Sequence, residues 1–191
     1  MIAIELNSDS TVGELRELLG KVRNPSGMLR AVATRAEGML KAHFRSRDAG
    51  SANKLGGRRT NFWAQVEKTV VGEVDEAGGT VRLGVSHPAF AQKLYGGVIR
   101  AKSARALTIP VTAEAYGRTT AEFESETGLR LFLIKPNETA LLVTRMQGAK
   151  GVKVQYVLKG QVTQEADEGA LPEMESMREM IEGTVREELG R

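Results

Sequence analysis

The sequence predicts an α+β domain, in which an antiparallel β-sheet is flanked by a long helix from the N-terminal half and by a C-terminal amphipathic helix. Three observations predict it. Apolar residues recur at helical spacing through the first third of the chain. They then alternate with polar residues from Val81 to Leu158, and return to helical spacing from Glu173 onward. No regular β-α-β succession occurs, so a dinucleotide-binding fold is not expected. The 191 residues suit one domain spanning 1–191, with 1–24 as a strand–helix appendage and 48–58 as an exposed loop.

Each element has a local cause. Ile2, Ile4 and Leu6 alternate with Ala3 and Glu5 and read as a short strand. Thr11 and Glu14 have capping-box spacing, and Leu15, Leu18, Leu19 and Val22 then share one helical face until Asn24-Pro25 stops the helix. Ser26 is placed to cap a second helix. Its stripe is Leu29, Val32, Ala36, Met39, Leu40 and Phe44, running to about Arg47. Asp48 to Gly57 is small and polar and reads as a loop. Thr60 is placed to cap a shorter helix carrying Phe62, Trp63, Val66 and Val70.

Val81, Leu83 and Val85 then alternate as a strand. A helical turn from Ala89 to Tyr95 ends at Gly96-Gly97, where a left-handed stop is cheap. Val98–Ala101 and Ala106–Ile109 read as the two arms of a hairpin with Lys102–Arg105 at its tip. Pro110 closes the second arm because it has no N–H to donate to a ladder. Gly117–Thr127 is polar and reads as loop. Leu129–Ile134 and Ala140–Thr144 make a second strand pair around Pro136-Asn137-Glu138, and Val152–Leu158 is a further strand. The final helix presents Met174, Met177, Ile181, Val185 and Leu189 on one face.

Composition narrows the function classes. Hydrophobic residues are 41% of the chain, enough for a core. No apolar run reaches the roughly 20 residues of a membrane-spanning helix, and Met1–Leu6 lacks the basic, then apolar, pattern of a secretory leader. Cysteine is absent, which excludes disulfides and thiolate chemistry and permits a reducing compartment. The net charge is only +3, but it is unevenly spread. Arg30, Arg35, Lys41, Arg45, Arg47, Lys54, Arg58 and Arg59 crowd the first third. Glu165, Asp167, Glu168, Glu173, Glu175, Glu179, Glu182, Glu187 and Glu188 crowd the tail. Such asymmetry can pair the two ends within a subunit, pair one subunit with the next, or set a basic surface near DNA. The first two are favoured.

Catalytic signals are sparse. The only histidines, His43 and His87, stand in no hydrolase or zinc-binding pattern. Gly56-Gly-Arg-Arg59 has phosphate-binding groups but lacks the Lys-Ser/Thr ending of a phosphate-binding loop. Phe62 and Trp63 sit near Arg58 and Arg59, as base-stacking aromatics do, but their spacing fits a buried helical stripe better. No catalytic residue, metal ligand or cofactor is expected.

Several spaced blocks together carry a resemblance. Phe90-Ala-Gln-Lys-Leu-Tyr-Gly-Gly-Val-Ile-Arg100, Ala106-Leu-Thr-Ile-Pro-Val111 and Glu114-Ala-Tyr-Gly117 are the central ones. Asn53-Lys-Leu-Gly-Gly-Arg-Arg-Thr-Asn-Phe-Trp63 precedes them, and Tyr156-Val-Leu-Lys-Gly-Gln-Val162 with Ala170-Leu-Pro172 follows. Together they resemble the phage virion morphogenesis proteins, a group that includes the tail-completion protein of Mu-like phages and prophages. The likeness spans about Met28 to Glu188. Trp63 follows Phe62 here, without the proline that some relatives carry, so the subfamily stays open.

The resemblance implies a small α+β structural protein of the virion neck or upper tail, assembled in the bacterial host cytoplasm, with no enzymatic activity. It implies a homo-oligomeric ring, with six subunits expected and twelve as the alternative. Other neck, head–tail connector or tail-tube proteins are its implied partners, with non-specific contact to DNA in the channel and none to a membrane. A ring needs heterologous contacts between two different faces. The candidate contact residues are Lys54, Arg58, Arg59, Arg100, Lys102, Arg105, Glu179 and Glu182, and Gly96, Gly97 and Pro110 are structural turn residues. Two rivals remain. One is a nucleic-acid-binding protein holding phosphates with Arg58, Arg59, Arg100, Lys102 and Arg105. The other is a hydrolase using His87.

Overall fold

The computed structural model describes residues 8–50, 55–56, 59–102, 104–146, 148 and 151–190. The expected strand at Ile2–Leu6 lies outside them. The fold is α+β, as the sequence predicts, with antiparallel pairing throughout. Where the sequence suggests one domain, the internal contacts group the chain into two compact units. The first contains Met1–Arg45, Gln65–His87 and Leu171–Arg191, and the second contains Ser46–Ala64 and Pro88–Ala170.

The first unit holds α1 (Ser8–Arg23), most of α2 (Ser26–Gly50), the end of α3 (Phe62–Glu67), β1 (Val70–Asp75), β2 (Thr80–Val85) and α6 (Met174–Gly190). α2 forms where expected and buries Val32, Ala33, Ala36, Leu40 and Phe44, one stripe at helical spacing. It runs to Gly50, three residues past the expected end. Asp48–Gly50 are therefore helical and not part of the 48–58 loop.

α1 begins at Ser8, so Thr11 lies inside the helix and not at its start. Its apolar face is not covered: Leu18 is 40% exposed, Leu19 52% and Val22 61%. The stripe of α6 also shifts from the expected one. Met174 is 80% exposed, Ile181 is exposed as well, and the deepest residue is Thr184. The Thr184 hydroxyl satisfies itself on the Met180 carbonyl at 2.7 Å.

Val70 does not continue the short helix. It opens β1, which pairs with β2 from Val70↔Val85 to Asp75↔Thr80. The hairpin turn is held by the Asp75 carboxylate, which accepts from the Gly78 amide at 2.9 Å. β1 lies close against α2 at Gly72. A Cβ there would stand 3.3 Å from the Ala33 carbonyl and 3.2 Å from the Glu37 carboxylate. The Gly72 amide instead donates to Glu37 at 3.0 Å, and Lys41 donates to the same carboxylate group at 2.6 Å.

These donors, Lys41 first and the Gly72 amide second, hold the Glu37 carboxyl below its ordinary 4.5. A carboxylate with a lowered folded pKa stabilises the fold above its unfolded value and stops doing so as pH falls through the folded one. Thermal melts between pH 6 and 3 are therefore expected to fall on the acid side. Glu37→Gln is expected to lower the plateau near neutrality and flatten that acid limb. An unchanged limb would remove Glu37 from the β1–α2 tie.

The second unit holds α4 (Phe90–Tyr95), β3 (Gly97–Arg100), β4 (Leu107–Pro110), α5 (Thr120–Thr127), β5 (Phe132–Ile134), β6 (Leu141–Arg145), β7 (Val152–Lys159) and β8 (Gln161–Gln164). Four strands form one sheet in the order β4-β7-β6-β5, and β3 pairs with β8 alone. β5 and β6 flank a one-turn 3-10 helix at Pro136–Glu138, close to the expected strand pair. Pro110 ends β4, which is an edge strand, where a missing N–H costs nothing.

Gly117–Thr127 is not all loop. Thr119 accepts from the Glu122 amide while the Glu122 carboxylate accepts from the Thr119 amide, and this capping box starts α5. The apolar centre of the unit is Ala115, Phe123 and Tyr156, packed by Leu129, Leu131 and Leu142. The Phe123 and Tyr156 rings meet edge to face at 5.9 Å.

Candidate functional site

The expected hairpin of 98–109 does not form. β3 pairs with β8, from Gly97↔Gln164 to Arg100↔Gln161, and β4 pairs with β7, from Leu107↔Lys159 to Pro110↔Tyr156. β7 and β8 are separated only by Gly160. β3 and β4 thus run antiparallel to β8 and β7 in turn, and only Gly160 separates the two stretches they pair with. Two arms with suitable alternation and a polar tip satisfy the hairpin pattern. Only long-range pairing reveals that both arms bond elsewhere.

The Gly96-Gly97 stop is as expected, and its geometry explains the glycines. Gly96 has φ 68° and ψ −156°, and its amide donates to Gln92. A Cβ on Gly96 would stand 2.6 Å from both the Ala166 nitrogen and the Gln164 carbonyl oxygen. The turn is also fixed from the far side, where the Asp167 amide donates to the Lys93 carbonyl at 3.0 Å. Asp167 bridges Arg47 at 2.5 Å and Lys93 at 3.4 Å. The Arg47 guanidinium lies 4.8 Å from the centre of the Trp63 ring. Trp63 is buried, so it is not available to stack on bases.

The candidate contact residues separate into four groups. Lys54 and Arg58 lie outside the described residues. Arg59 is engaged within the chain: it donates to Asp48 at 2.8 Å, and another oxygen of Asp48 accepts from the Ala64 amide at 3.2 Å. The Asp48 carboxylate therefore tends the start of α3, and Arg59 neutralises it. Arg100, Lys102 and Arg105 are exposed at the end of β3 and in the link to β4, and Arg100 donates to Gln161 at 3.1 Å.

Lys159, directly across from Leu107, joins this basic tip and is exposed. Sequence reasoning missed it because it reads as the polar end of a strand, and only the pairing brings it beside Arg100. Glu179 and Glu182 are exposed on α6, and Glu182 faces Arg178 at 3.5 Å and Arg186 at 3.6 Å.

The pairing of a basic front with an acidic tail is partly realised within each unit. Arg35 of α2 binds Glu187 of α6 and donates to Thr184 at 3.4 Å. Arg47 and Asp167 do the same in the second unit.

Elsewhere the chemistry is self-satisfied. A cleft of about 450 Å³ is lined by Glu114, Phe123, Leu129, Thr144, Lys153 and Gln155 among others. Two of its charged groups pair with each other, since Lys153 grips Glu114 at 2.8 Å and holds that carboxyl below its ordinary value, while the Arg145 guanidinium lies 6.0 Å from the centre of the Phe132 ring. Its buried amide, Gln155, bonds Thr112 at 2.5 Å and Thr144 at 3.1 Å. His43 meets Phe44 edge to face at 5.8 Å, and His87 is half-buried after β2. Among the described residues no group of three or more His, Cys, Asp or Glu could hold a metal ion, and no helix is long and apolar enough to cross a membrane.

Comparison with protein-family models, with curated proteins and with solved structures finds no match.

Proposed function

We propose that the chain is a non-catalytic structural component of the head–tail junction of a tailed-phage particle, assembling with copies of itself into a ring that joins or completes the tail. The sequence blocks around Tyr95–Pro110 supply the class. The observation that carries the assembly reading is the uncovered helical surface of the first unit. Leu18, Leu19 and Val22 form one apolar face of α1 that stands in water, and Met174 and Ile181 do the same on α6. An amphipathic helix is stabilised mainly by burying its apolar face. Exposed apolar faces of this kind belong to contact surfaces. The exposed carboxylates Glu179 and Glu182 on α6 give such a surface a charge that selects its partner and register.

Light scattering and negative-stain imaging test this reading. The wild-type chain is expected to form closed rings. Leu19→Glu with Val22→Glu is expected to leave monomers with an unchanged circular dichroism spectrum, because both side chains are already exposed. Glu179→Lys with Glu182→Lys is expected to lower the assembled mass most at low salt, where charge contacts are least screened. A wild-type chain that stays monomeric at all concentrations, or a mass unmoved by both variants, would overturn the proposal.

A further inference from the structure

We infer that the basic tip formed by Arg100, Lys102, Arg105 and Lys159 is a binding site for the phosphate backbone of a duplex nucleic acid, independent of the surface that assembles the chain. Residues 97–111 and 152–164 contain five cations and no carboxylate. Lys153, one of the five, is already neutralised by Glu114. The remaining four stand where β3 and β4 give way on either side of Gly160, and all four are exposed. Among the described residues none of the four enters a salt bridge, and Arg100 donates only to the neutral amide of Gln161.

Distances along the strand decide that this charge is effective. The nearest carboxylate along β8 is Glu165, four residues beyond Gln161. At about 3.3 Å per residue it stands about 13 Å away, beyond the Debye length of about 8 Å at physiological salt. Lys153 and Glu114 are further still, six residues from Lys159. The tip therefore presents four exposed cations with no carboxylate along these strands to compensate them.

The surroundings also fit. β3 and β4 meet their partner strands on either side of the single residue Gly160, where a Cβ would meet nothing within 4 Å. No aromatic residue stands among 100–106, so the cations reach phosphates but offer no platform for stacking bases, and the contact is to backbone and not to sequence. Arg59 is excluded from the site, because it is committed to Asp48.

Fluorescence anisotropy with a labelled 30-base-pair duplex at 50–300 mM salt tests the assignment. Four phosphate contacts predict that log affinity falls against log salt with a slope of about −3.6, and that each removed cation weakens binding roughly eightfold at 0.1 M salt. The variant Arg100→Gln, Lys102→Gln, Arg105→Gln, Lys159→Gln is expected to lose nearly all salt-dependent binding while keeping its circular dichroism spectrum. Should that variant fail to fold, Lys102→Gln and Lys159→Gln alone are each expected to reduce the slope by about 0.9. Arg59→Gln is expected to leave it unchanged.

Binding with a slope near zero, or a slope insensitive to the four changes, would overturn the assignment. So would a four-site variant that retains DNA binding but loses self-association, which would give the tip to the acidic surface of another copy. Rings that form without DNA binding sink this inference alone, and DNA binding without rings sinks the assembly proposal alone.

Discussion

Gly96→Ala is expected to be among the most damaging single-methyl changes in the protein, lowering stability by about 3 kcal/mol or more. Two costs add. At φ 68° and ψ −156° the residue occupies a region open essentially to glycine alone, and holding a side chain there costs about 1–3 kcal/mol. The added Cβ would also stand 2.6 Å from two backbone atoms, the Ala166 nitrogen and the Gln164 oxygen. Neither can rotate away as a side chain would. The structure must move α4 off the segment that follows β8, and the Asp167-to-Lys93 backbone bond lies in the same place.

Gly97 supplies the control. Its φ is 115°, but its nearest neighbour is the flexible Gln92 amide at 3.6 Å. Gly97→Ala therefore carries strain without a backbone clash and is expected to cost about 1–2 kcal/mol. By calorimetry the first variant should lose on the order of 6–12 °C in melting temperature, and the second on the order of 2–8 °C. Equal losses would mean that the close approach at Gly96 is not what requires glycine.

Tyr156→Ala is expected to cost about 4 kcal/mol, the range for emptying a large aromatic site in a packed core. Tyr156 is fully buried, pairs across the sheet with Pro110 and Leu142, and meets Phe123 edge to face. Its hydroxyl lies 3.3 Å from the carbonyls of Ala115 and Arg118 and 3.5 Å from that of Thr119, so one proton ties the turn before α5 to the sheet. Tyr156→Phe keeps the ring and loses that bond, an expected cost of about 1 kcal/mol.

The same phenol predicts a pH effect. Burial pushes it above its ordinary 10.0, with Glu122 adding to the push and Arg118 opposing it. The folded chain keeps a proton that the unfolded chain releases. The stability present below pH 10 is therefore lost as pH rises from there through the folded value. Urea titrations between pH 8 and 11 should show a steeper alkaline decline in the wild type than in Tyr156→Phe. Parallel declines would mean that Tyr156 contributes nothing to it.

The local grammar of the chain accounts for much of the architecture. The stripe Val32–Phe44, the alternation of Val81–Val85 and Val152–Leu158, the stop at Gly96-Gly97 and the last helix are each set by periodicity or turn chemistry within a dozen residues. The α+β class follows from their order. The capping box Thr119–Glu122 was equally legible, but α5 is polar apart from Phe123 and no apolar stripe draws attention to it. Val70 sits at helical spacing from Val66 by coincidence. The β-branched run of β1 and the Gly78-Gly79 turn are the stronger signal for a hairpin.

Other features depend on partners far along the chain. Residues 98–101 and 106–109 have the alternation of a hairpin. Their hydrogen bonds go instead to 156–164, because a longer paired ribbon with β7 and β8 satisfies more backbone groups than a short isolated hairpin does. That choice places β3 and β4 on either side of Gly160 and sets Lys159 two residues along the paired strand from the partner of Arg100, which no window of sequence contains. In the same way the helical Asp48 engages Arg59 and the Ala64 amide, and the face Leu18–Val22 that periodicity marks as core is left in water. By itself the sequence determined which segments are helix or strand and where basic and acidic residues fall. Tertiary structure decided which charges are spent inside the fold and which remain outside, because pairing and burial are settled by long-range contacts and not by spacing along the chain.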